Sequence, residues 1–123
     1  QAESWQVGAG FDAMRAMLRR HCRFTAVFCA GDLLAIGATR AIAEAGLRVP
    51  DDISVMGLDD IDLAAYFTPP LTTISQSITS MATLGVELLL DGLANRARES
   101  NRIVIEPTLV ARASTAPPHH LRI

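Results

Sequence analysis

The sequence predicts an α/β fold, an open parallel sheet flanked by helices, and three observations carry that reading. A short unbroken apolar run (Thr25 to Cys29), an alanine- and leucine-rich helical stretch (Leu33 to Ala45) and a second apolar run (Ile53 to Met56) follow one another as strand, helix and strand. Gly46 stands just past the helical stretch, where a left-handed residue commonly ends a helix. Gly31 and Asp32 follow the first run, and Asp59 and Asp60 follow the second, so small and acidic residues collect at the carboxyl edge of the sheet, the edge at which open parallel sheets bind ligands.

Composition is consistent with one packed domain. The chain has 123 residues, 50% hydrophobic and 20% charged, which is rich enough in apolar side chains to fold and short enough for a single core. A formal net charge of −2 gives no general attraction to a phosphate backbone. No apolar run approaches the roughly 20 residues that span a bilayer, and no signal peptide opens the chain, so membrane attachment is not expected. Cys22 and Cys29 lack metal or redox spacing and read as reduced thiols, which points to the cytoplasm.

The elements follow in order. From Gly10, residues Phe11, Met14, Met17 and Leu18 recur at helical spacing, with Arg19, Arg20 and His21 at the negative pole. Thr25 to Cys29 suits a strand covered on both faces. Asp32 is placed to cap the next helix, which Gly46 ends. Pro50 to Asp52 turns the chain into Ile53 to Met56, and Gly57 closes that strand. Pro69 and Pro70 break any helix after Tyr66. Thr72 to Ile74 is extended and delivers Gln76. From Ile78 to Leu93 the residues Met81, Leu84, Leu88, Leu89 and Leu93 form a helix with a broad apolar face. A polar loop spans 96–102, Ile103 to Ile105 reads as a strand, Leu109 to Ala111 is extended, and the tail from Pro117 is expected to be flexible.

Four ordered blocks, FCAGDLLAIG (28–37), AGLRVPDDISVMGLDD (45–60), FTPPLTTISQ (67–76) and LVARASTAP (109–117), resemble the C-terminal half of the lactose-repressor (LacI/GalR) family of transcription regulators. The resemblance implies a type I periplasmic-binding-protein-like fold of two lobes with an effector cleft between them. It assigns 1–76 to the C-terminal lobe, 77–106 to a helix and strand of the N-terminal lobe, 107–116 to a strand returning to the C-terminal lobe, and 117–123 to a tail. A helix-turn-helix domain is absent from this stretch, so operator DNA is expected as a partner only through another part of the protein. The implied function is effector sensing and homodimerisation, with a sugar-like or related polar metabolite as effector. The alternative is a periplasmic sugar-binding protein of a transport system, which shares fold and cleft chemistry.

The resemblance also supplies the candidate effector contacts. Asp59 offers an acceptor-only carboxylate to ligand hydroxyls or amines, and otherwise serves as a turn residue. Trp5 matches an aromatic position that covers a flat ligand face, or else is core or interface. Gly31 stands where sugar-responsive relatives often carry Asn. Asp32 and Gln76 complete the set, Asp32 with a helix-capping alternative and Gln76 with a surface one. Ile36, Tyr66 and Phe67 are the expected dimer-interface residues. Catalysis is not expected: adjacent Asp59 and Asp60 project to opposite faces, His21, His119 and His120 have no nucleophile beside them, and the cysteines and histidines lack metal-ligand spacing, so neither cofactor nor metal is expected.

Overall fold

A computed structural model describes residues 5–20, 23–94 and 102–118. The elements run α1 (Val7–Arg19), β1 (Ala26–Phe28), α2 (Asp32–Glu44), β2 (Ser54–Met56), α3 (Asp62–Tyr66), β3 (Thr73–Ser75), α4 (Ile78–Leu93) and β4 (Thr108–Val110). The expected βαβ unit is present: β1 and β2 pair in parallel, Val27 opposite Val55, with α2 as the crossover. Gly46 adopts φ +77° and closes α2, a conformation that costs glycine nothing. A parallel bridge from Met56 to Thr72 brings β3 alongside β2, and β3 pairs antiparallel with β4.

The core lies between α1, α2 and the sheet. Met14, Ala35, Ala38, Ala41, Ile42, Ile53, Val55, Ala64 and Leu71 form one buried cluster. The two helices cross on glycines. A β-carbon on Gly37 would overlap the Val7 carbonyl oxygen and lie 2.7 Å from the Phe11 nitrogen, and one on Gly10 would stand 2.8 Å from the Leu34 carbonyl carbon. Only residues without a β-carbon let the two backbones approach so closely.

Four local expectations differ from the structure. The first strand is not covered on both faces: Ala26 and Phe28, which share a face, are exposed, Phe28 to 57%, while Val27 on the other face is half-buried. Residues 103–105 are apolar but join no ladder among the described residues; the strand of this segment is β4, where β3 supplies pairing partners. The single-turn α3 lies within a stretch the sequence reading left unassigned. Finally, Asp32 is the first residue of α2 rather than its cap; Gly31 takes the cap position, and no side chain bonds the free helical amides there. Of the other expectations, His21, Cys22, most of the polar loop, and the tail from 119 lie outside the described residues. Cys29 is a free, half-buried thiol whose pKa burial pushes up from 9.0 to about 11.

Candidate effector site at the carboxyl edge of the sheet

Three backbone segments meet where β1, β2 and β3 end. Gly31 is buried between the other two candidates: a β-carbon there would stand 3.6 Å from Asp59 Oδ2 and 3.6 Å from Trp5 Cε3. The aromatic ring and the carboxylate therefore flank one glycine, although they are 54 positions apart in sequence (59 − 5). Trp5 keeps 69% of its surface exposed, so a broad aromatic face is available beside the acid. Gln76, one residue past β3, donates from Nε2 to Asp59 Oδ1 at 2.7 Å. That bond occupies one carboxylate oxygen and fixes its orientation, while Oδ2 lies on the Gly31 side, across that glycine from the Trp5 ring. The result is a small polar corner with an aligned acceptor and a flat apolar wall, suited to a polar ligand with a planar or ring-shaped face.

The turn that presents Asp59 is strained. Asp59 has φ 114° and Asp60 has φ 56°, backbone conformations that residues with a β-carbon adopt at a cost. Neighbouring bonds hold it: the Asp59 amide donates to the Ile74 carbonyl at 2.9 Å, and the Arg112 guanidinium donates through Nη2 to Asp60 Oδ1 at 2.8 Å. As expected of neighbours, the two acids go to different partners, Asp59 to Gln76 and Asp60 to Arg112. Sequence reasoning did not single out Arg112. The signal was a lone cation set among small and apolar residues in LVARAST, a position where a charge needs a partner.

Asp32 turns away from this corner. Its carboxylate is 1% exposed and both oxygens are engaged: Oδ1 accepts from Thr73 Oγ1 at 2.6 Å and Oδ2 from the Ile61 amide at 2.9 Å. Gly57 makes room for it, since a β-carbon there would overlap Asp32 Oδ1. Asp32 thus ties α2 to β3 and to the segment after the Asp59 turn, and the capping role is replaced because buried tertiary donors reach the carboxylate instead of the helix's own amides.

The three interface candidates separate. Tyr66 is 85% exposed, Phe67 is half-buried, and Ile36 is 8% exposed, already covered within its own chain. On the other side of Gln76, a concavity of about 520 Å³ lies between α4 and residues 102–107, lined mainly by apolar side chains such as Met81, Leu84, Leu88 and Ile105. Among the described residues no His, Cys, Asp or Glu cluster could hold a metal ion, and no helix is long and apolar enough to cross a membrane.

Fold and site together define an α/β lobe of the binding-protein type with a polar corner at the sheet's carboxyl edge, where open sheets of this kind take ligands. The chain belongs to the periplasmic binding protein-like domain family, whose model matches residues 1–115. It is 47% identical over 108 residues, 88% of the chain, to the HTH-type transcriptional repressor PurR of Salmonella paratyphi B. Among solved structures it is similar to the Lac repressor dimer bound to operator and the anti-inducer ONPF, with TM-score 0.87, 38% identity, and coverage of 93% of this chain and 40% of that one. A LacI family transcriptional regulator from Enterococcus faecium with bound ribose gives TM-score 0.85 at 33% identity, covering 94% of this chain and 42% of that one. The chain spans about a third of the length of the curated relatives it matches, 32% for the first repressor named.

Proposed function

We propose that this chain is an effector-sensing and dimerising part of a bacterial DNA-binding transcription regulator, with Asp59, Trp5, Gly31 and Gln76 forming its share of the effector site. The observation that carries this reading is the convergence of Trp5 and Asp59 on Gly31, with Asp59 Oδ1 fixed by Gln76 and Oδ2 on the Gly31 side. Asp32 serves the site from behind by fixing α2 against β3. We assign 1–76 and 107–116 to the C-terminal lobe and 77–106 to the N-terminal lobe; that α4 buries none of its residues here supports the division. The relatives being repressors favours a regulator over a transport protein and a binding role over catalysis, and a regulator of this kind acts in the cytoplasm. The effector acts by binding one arrangement of the lobes more tightly than the other, which shifts the population of DNA-competent dimers.

The test is a thermal-shift screen of the intact regulator against monosaccharides, disaccharides and nucleobases, followed by calorimetry on the binder. Asp59→Asn is expected to weaken binding by roughly 1.5–3 kcal/mol, the worth of a hydrogen bond to a charged group, with the fold intact. Unchanged affinity would reduce Asp59 to a turn residue. The dimer surface is centred on exposed Tyr66 with Phe67 beside it, so Tyr66→Asp is expected to give a folded monomer in sedimentation velocity. A dimer of unchanged strength would move the interface elsewhere.

A further inference from the structure

We infer that Arg112 is a positioning residue for the effector site, holding Asp59 in place through Asp60 without itself reaching the ligand corner. This rests on the assignment of Asp59 to the site. Three observations carry it. First, Asp59 and Asp60 lie consecutively at φ 114° and φ 56°, so the turn that aims Asp59 relaxes unless other contacts fix it. Second, Arg112 clamps that turn from two residues beyond β4: Nη2 donates to Asp60 Oδ1 at 2.8 Å, Nη1 donates to the Leu71 carbonyl at 2.9 Å, and its own amide donates to Thr72 Oγ1 at 2.9 Å. Leu71 is fully buried and Thr72 nearly so, so the guanidinium is anchored on the core and the carboxylate is pulled toward it. Third, the pair is mostly shielded from water, the Arg112 and Asp60 side chains being 19% and 25% exposed, which makes it stronger than a surface ion pair. Asp59 is held from the other side by Gln76, just past β3. The two acids of the turn are therefore tied to the ends of two paired strands, one acid to each, and the orientation of Asp59 depends on both ties.

The readout is the Gln76 side-chain amide in ¹H–¹⁵N spectra of the 123-residue chain without ligand. Its Nε2 donates to Asp59, and the chain's other primary amides are only Gln1, Gln6, Asn95 and Asn101, so it can be assigned by Gln76→Met. Arg112→Met is expected to move the Gln76 signal to the position and fast exchange of a solvated amide, with far-UV circular dichroism unchanged. Adding Asp60→Gly to Arg112→Met is expected to restore it, because glycine adopts φ 56° at no steric cost, so the turn needs no clamp, and it leaves no orphaned carboxylate. A role for Arg112 confined to packing on Leu71 gives no such rescue, so failure of the double variant overturns the proposal. If Arg112→Met does not fold, Asp60→Ala, which removes the clamp and keeps the β-carbon, is expected to release the signal while Asp60→Gly retains it. Identical spectra for those two variants overturn the proposal as well. Because no ligand is involved, these results are independent of whether Asp59→Asn changes effector affinity in the intact regulator.

Discussion

The unit built by α1, α2, β1 and β2 and the helix α4 have similar apolar content and opposite fates. In α2 nine of the helix's residues are buried, among them Leu34, Ala35, Ile42 and Thr39. In α4 none is, and Met81, Val86, Leu89, Leu90 and Leu93 are each at least half exposed. Composition does not separate the two helices. Partners do: α2 lies between α1 and the sheet, whereas α4 leaves the β3 end by way of Ser77 in a left-handed conformation and meets no comparable surface among the described residues. An amphipathic pattern states that a face will be buried when something reaches it, and the rest of the fold decides what does.

The largest effect is expected where the packed region has least room. Gly37→Ala puts a β-carbon into the α1 backbone at Val7 and Phe11, and backbone cannot rotate out of the way as a side-chain tip can. It is expected to cost about 3 kcal/mol in urea unfolding, the upper end of ordinary overpacking. A cost below about 1 kcal/mol would mean that the helices sit further apart in solution than their glycines allow.

Asp32→Asn tests the same region through polarity instead of volume. The substituted amide turns an N–H toward either the Thr73 hydroxyl or the Ile61 amide, two groups that both donate to the carboxylate. Leaving a buried donor without an acceptor is expected to cost about 2 kcal/mol. A neutral result would show that water reaches Asp32 and that it is not the closed junction described above.

Against these, in the 123-residue chain by itself Leu89→Gln on α4 is expected to change unfolding free energy by no more than about 0.5 kcal/mol, as exposed substitutions do. The same change is expected to raise solubility and to lower self-association measured by light scattering, since it breaks an uncovered apolar face. A loss of stability comparable with Gly37→Ala would erase the contrast between the two regions and show α4 packed in solution.

Much of the fold was legible in the sequence because its signals are local. Runs of β-branched residues, a helical stretch stopped by Gly46, and the acids after each strand are all written within a few positions of the structure they specify, and they placed β1, α2, β2, β3 and the Asp59 corner. The resemblance to LacI-type regulators brought Trp5 and Gln76 to that corner, and both stand beside Asp59 or bonded to it. What the tertiary structure alone decided are the long-range bonds: Asp32 to Thr73, 41 positions away, and Asp60 to Arg112, 52 positions away. A carboxylate at the start of a helix looks like a cap when only its neighbours are known, and a lone arginine among small and apolar residues signals that it needs a partner without saying which. Both acquire their meaning when the chain path delivers a distant partner. A buried charge is satisfied by whichever donors the fold brings within reach, and that choice is made by the assembled backbone and not by any local stretch of sequence.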